Sequence, residues 1–321
     1  MMESRSDDGF SQPRPSFCTD DRRESKVGVD GPHSAAEREA EGMVGDMQHK
    51  QEDRFVVDGM RLYSIHQINQ LSEPIKTGIY RQLLPLPLLQ QYGIDPETFC
   101  NIHGSRLVTI NSQAEGRLVE IDVRPERGFP DSLLYLELAD TRLNQIEVLL
   151  FVVNDPTAER FDTDHDWRGE RTKFGTFRRN VPEEIRAMEA GLAPGQVRQG
   201  LHLTKTLVPL FEEFVKRLGH DYYLMEPLSY HMAIRFEQSG CNYVQGLRRM
   251  EWINAAFQPG GPLHAALDGS TPFRHADAWR TIRGRSWAIH DGILGEPWNG
   301  IRMYNQVGKH AGVDTFPGGE Y

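Results

Sequence analysis

Long apolar runs are missing from this 321-residue chain: no stretch approaches the ~18 uninterrupted apolar residues that a membrane helix requires. The N-terminus also lacks an apolar core of signal-peptide length. Cysteine is scarce. Cys18, Cys100 and Cys241 are scattered and form no CxxC pair, which indicates neither a disulfide framework nor a zinc knuckle. No Lys/Arg run stands out among 36 Lys+Arg and 46 Asp+Glu, and that argues against a nucleic-acid footprint. Residues 1–55 lack apolar periodicity and are nearly free of aromatics, with 13 Asp/Glu and 8 Lys/Arg. Such a segment cannot bury enough surface to offset its ordering entropy, so a disordered acidic tail is expected there. The expectation for the whole is a cytoplasmic protein acting on a small molecule, with no nucleic-acid or membrane partner.

What is present falls into three textures. Residues 56–104 are helical and loop-like, broken by Pro85 and Pro87. The stretches 105–112, 117–125, 131–140 and 144–155 alternate or run apolar between turn residues, so they predict an antiparallel meander; 159–164 offers a fifth strand. Helical spacing then predicts helices over 182–191 and 203–218, the second with Leu207, Phe211 and Phe214 on one face. "DYYLMEP" predicts a strand, "SYHMAIRFEQSG" a helix and "CNYVQGLRRMEWI" a long strand with Met250 and Trp252 facing the core. This order is a mixed α/β fold, with 56–257 as its domain. Residues 258–321, rich in Gly and Pro and holding Trp279, Trp287 and Trp298, are expected to pack on that domain as an extension that buries its aromatics or lies over a pocket.

The stretch "MAIRFEQSGC" resembles the end of the signature helix of the GNAT (acyl-CoA N-acyltransferase) superfamily through Phe236, Glu237, Gly240 and Cys241. Upstream, Gly200 in "QVRQGLHLT" stands where that family places its pyrophosphate loop. The resemblance spans about 105–253. It implies a GNAT-like sheet, an acyl-CoA co-substrate, no metal, and transfer of an acyl group to a small amine. Under it, Arg198, Gly200, Leu201, His202 and Leu203 hold the cofactor. The family's catalytic Tyr aligns with Phe236, which has no hydroxyl, so Tyr230 and Tyr243 are its candidate substitutes.

"RFDTDHDWRGE" is the densest acid–histidine cluster. As a strand it would set Asp162, Asp164 and Asp166 on one face and His165 on the other. His165 or Asp164 is the candidate base for the amine, while three carboxylates on one face raise the alternative of a metal-dependent enzyme. His275-x-Asp277 is a fragment of an iron-binding facial triad, with His290 or His310 as its distal partner. A non-catalytic GNAT-like ligand-binding or interaction module is the further alternative.

Overall fold

The computed structural model describes residues 54–172 and 178–321. The chain divides into two units, 1–50 and 51–321; the tail expected over 1–55 falls outside the described residues up to 53. In the second unit a small hairpin, β1 (Val56–Val57) and β2 (Met60–Arg61), leads into three short helices. These are α1 (Ile65–Asn69), α2 (Glu73–Tyr80) and α3 (Leu86–Gln91). A five-residue helix has little stability of its own. α1 is held from outside: Asp140 accepts from the Ile65 and His66 amides at 2.9 and 2.8 Å, and Asn69 donates to two main-chain carbonyls, those of Gly116 and Leu118.

The predicted meander forms. β3 (Val108–Ser112), β4 (Leu118–Val123), β5 (Leu134–Asp140) and β6 (Ile146–Val153) pair antiparallel in sequence order. "LVEIDV" and "LYLELAD" alternate buried and half-buried, as their period of two requires. The stretch 159–164 is not a fifth strand; it is irregular and ends in a turn at Thr163–Asp164.

After α4 (Val181–Glu189), α5 (Thr204–Arg217) crosses to β7 (Tyr222–Met225), which lies parallel to β6. Next come α6 (Tyr230–Gln238) and β8 (Asn242–Gln245). Here the predicted long strand stops early. Gly246, at φ +102°, turns the chain, and Leu247–Phe257 form helix α7 instead. A Cβ at Gly246 would stand 2.4 Å from Ile301 Cδ1, so both its dihedral and its surroundings require glycine. In the helical frame Met250 is buried but Trp252 is 49% exposed, against the expectation that both face the core.

Residues 258–321 are more than an extension packed on a finished domain. They contribute α8 (Pro262–Ala265), α9 (Ile282–His290) and β9 (Arg302–Gln306), and β9 inserts between β7 and β8. The result is a mixed α/β fold around a seven-stranded sheet of order β3-β4-β5-β6-β7-β9-β8. Among the described residues, no helix is long and apolar enough to cross a membrane.

The core begins earlier than the composition suggests. Phe55 is 4% exposed, lies edge-on to Phe214 at 5.6 Å, and its amide bonds the Arg217 carbonyl at 3.1 Å. Phe55→Ala is therefore expected to cost about 3 kcal/mol or more in urea unfolding; a loss under about 0.5 kcal/mol would place Phe55 with the tail.

Candidate functional site

The parallel strands β6 and β7 pair over two residues only, Glu147 with Leu224 and Val148 with Met225. The pairing ends where β7 ends, at Met225, while β6 runs on to Val153. Leu138 pairs with Val148 but Glu137 pairs with Leu150, so Leu149 is one extra residue in β6. A bulge bends its own strand and raises its twist. This one lies directly after the last β6–β7 pair. On the side facing away from β5, residues 149–153 pair with no strand among the described residues. Leu149 is exposed, and Leu150–Val153 stay only half-buried although β6 is the central strand of the sheet.

Along the chain α5 follows β6 and α6 follows β7, so each helix begins after the carboxyl end of one of the two parallel strands. The loop into α5 is tied to the end of β6: the Asp155 amide bonds Gln199 O at 2.7 Å, and a Cβ on Gly200 would stand 3.1 Å from Val153 O. Gly200, Leu201 and Leu203 are half-buried, the two leucines against the main core, while His202 is exposed in a left-handed turn at φ +54°. α5 has no side-chain cap and no acid in its first turn, so its leading amides present the positive end of the helix dipole.

Arg198 points elsewhere. Its Nε donates to Asp131 at 2.8 Å, and Nη1 donates to Ala158 O. Asp131 also receives Arg160, whose Nη2 donates to both oxygens of Asp164 at 2.9 and 3.0 Å. His165 Nδ1 lies 3.0 Å from Asp164. Arg198, Asp164 and His165 are thus brought into one chain of polar contacts. Burial works against the Arg160 charge, but Asp164 and Asp131 outweigh it and hold its pKa above the ordinary value. The three aspartates do not share a strand face: Asp162 and Asp164 bind Arg160, and Asp166 accepts from Arg178 and from the Arg168 and Glu170 amides. The distal histidines are engaged as well, His290 with Glu184 at 3.1 Å and His310 near Gln238 O at 3.4 Å, while Asp277 pairs with Arg280. Among the described residues no group of three side chains is placed to hold a metal.

Tyr230 and Tyr243 form a second group, joined to the first by no hydrogen bond or ion pair among the described residues. Tyr230 is buried; its pKa is pushed up to about 12 by burial, and its hydroxyl accepts from Arg285 at 3.4 Å. Tyr243 donates to Glu237, and burial together with that bond raises its pKa. The segment that carries the family resemblance has a structural account of its own. Gly240 at φ +95° and the Cys241 amide on Phe236 O, at 2.9 Å, close a Schellman cap on α6, and Glu237 is buried as an acceptor for Tyr243 and Thr315.

Two features went unread in the sequence: the Leu149 bulge and the buried Arg285. A bulge in an apolar run such as "IEVLLFVV" has no sequence mark, because both faces of that strand are apolar. In comparison with known proteins, no family, no curated protein and no solved structure matches the chain.

His231 lies at the start of α6 with Nδ1 at 2.9 Å from Ser229 Oγ and 3.0 Å from Ser286 Oγ. Burial, then Arg235 and His290, lower its pKa to about 3. The unfolded chain titrates this group near pH 6.5, so the stability it contributes is complete above pH 6.5 and lost as pH falls toward about 3. The slope from one proton is about 1.4 kcal/mol per pH unit. His231→Gln is expected to flatten the acid limb of stability against pH by up to that slope; an unchanged limb would contradict a neutral, buried imidazole.

Proposed function

We propose that this protein is a GNAT-like acyltransferase, taking its acyl group from a coenzyme A thioester and passing it to a small amine. One observation carries the reading: β6 runs on past the end of β7 with one side unpaired, and the loop into the uncapped α5 folds onto its end, an arrangement we read as a cleft. The open backbone groups of 149–153 suit the peptide-like amides of a pantetheine arm. The half-buried Leu150–Val153 suit an acyl chain. The first-turn amides of α5, with His202 and Lys205 beside them, suit the pyrophosphate, because aligned amides and a helix dipole favour anions. In the reaction the amine nitrogen forms a bond to the thioester carbon, the carbon–sulfur bond breaks, and the amine proton goes by way of a base to the departing thiolate. Asp164 and His165 are the base pair in this reading.

A second reading keeps the fold and the ligand but drops the chemistry. It is favoured by the engagement of both candidate acids, Tyr230 with Arg285 and Tyr243 with Glu237. Each hydroxyl has a raised pKa, which makes it a poor proton donor to a thiolate.

Calorimetry with acetyl-coenzyme A tests the shared part. Lys205→Glu in the first turn of α5 is expected to weaken binding at least tenfold, about 1.4 kcal/mol. It should leave the melting temperature unchanged or slightly higher, since an acid suits a helix N-terminus. No binding by the unaltered protein at millimolar ligand contradicts both readings. Binding without amine-dependent release of thiol selects the second.

A further inference from the structure

Arg285, on α9, is wholly buried, yet among the described residues no carboxylate pairs with it. Its Nε donates to Trp279 O at 2.6 Å, and its Nη1 to Asn254 Oδ1 at 2.8 Å and Tyr230 Oη at 3.4 Å. Nη2 has no partner. Other arginines removed from solvent here are matched, the buried Arg198 by Asp131 and the half-buried Arg179 by Glu184 and Asp291. Taking a guanidinium out of water without an anion is costly, and a stacked aromatic ring offsets only part of that cost. The nearer ring is Phe316, whose centroid lies 3.4 Å from the Arg285 guanidinium carbon; that of Phe257 lies at 5.2 Å.

Phe316 belongs to the segment 312–318, bounded by glycines at φ +69° and +71°. The flanks are pinned: the Ala311 amide bonds Gly240 O at 3.0 Å, and the Ile282 amide bonds Glu320 O at 2.7 Å. Between them Thr315 is held by Glu237, through its amide at 2.9 Å and its hydroxyl at 2.7 Å. Phe316 also lines a cavity of about 250 Å³, together with Glu237, His310 and Asp314. The ring therefore separates an unmatched cation from a cavity that carries two carboxylates.

We propose that Arg285 is the carboxylate-binding group of an occluded site for a small amine-bearing carboxylate, of the amino-acid class, and that residues 312–318 are its lid. Lifting Phe316 uncovers the guanidinium and at the same time frees Glu237 from Thr315. A guanidinium then faces the Glu237 and Asp314 carboxylates across one space. A simple anion is repelled by the two acids and a simple amine by the guanidinium; a molecule carrying both charges satisfies both sides. The segment bends at Gly312 and Gly318, as hinge glycines allow, while its flanks stay bound. As the acceptor in the acyl transfer this ligand rests on the function proposed above; as a binding site it does not.

The test is calorimetry on the full chain without coenzyme A, so its failure and failure of coenzyme A binding are separate results. The probes are L-leucine and its two halves, 4-methylpentanoate and 3-methylbutylamine. Phe316→Ala, which removes the covering ring, is expected to bind leucine at least tenfold more tightly than the unaltered protein does and at least tenfold more tightly than it binds either half. Adding Arg285→Met should abolish that preference. If the double variant fails to fold by circular dichroism, Arg285→Lys in its place keeps the charge without the planar fork and should lose at least tenfold. Absence of leucine binding by Phe316→Ala at millimolar ligand, equal binding of the halves, or indifference to Arg285 would overturn the proposal and leave Arg285 as a packing group for the segment 312–318.

Discussion

Parallel strands hold together only as long as their backbones stay in register, and β6 and β7 keep register for two residue pairs. β7 ends there, at Met225, and β6 continues through Leu149, which it carries in excess of its partner β5. Because β5 pairs with β6 along its whole length, the unpaired backbone of 149–153 faces the side on which β7 has already ended. Everything offered as a site follows from that unpaired edge. The loop around Gly200 folds onto the end of β6, α5 starts beside it, and α6 starts where β7 ends. An unpaired backbone at the centre of a sheet is a liability unless something pairs with it. Here it is the main reason to read the cleft as a place for an extended ligand.

Charge is distributed in two contrasting ways. Around the loop 155–172, arginines and acids alternate as partners, and Asp131, Arg160 and Asp164 form a continuous chain. Breaking such a buried pair leaves an uncompensated charge, so this network is expected to fix the loop whether or not His165 acts on a substrate. Near α6 and α9 the opposite holds: Arg285 is buried without an acid, while Glu237 is buried with neutral donors only. One arrangement neutralises itself. The other is complete only with a further molecule.

Much of the architecture was legible because the local signals agreed with one another. Strict alternation marked β4 and β5, and glycine after a helical apolar stripe marked the end of α5. The failures have equally specific causes. "CNYVQGLRRMEWI" is apolar enough for a strand, and only the left-handed Gly246 divides it into β8 and α7. "IRMYNQ" is short and lies in Gly/Pro-rich surroundings, so nothing local marks it as an interior strand; its place between β7 and β8 is a long-range pairing. Of the candidate site, the loop at Gly200 folds onto the end of β6, whereas Arg198, Tyr230 and Tyr243 are drawn into contacts with buried neighbours. Residue type predicted their polarity but not the partner that each would find.

Amide hydrogen exchange of Leu149–Val153 and of the first turn of α5, with and without coenzyme A, tests the central claim most directly. Residues 149–153 lack a partner on one side, so the amides directed there should exchange faster than those of the fully paired β5. Added coenzyme A should slow them together with those of 200–206, as the pantetheine arm and pyrophosphate take up the open groups. Slow exchange in 149–153 without ligand, or no change on adding it, would contradict an unpaired edge of β6 that receives the cofactor.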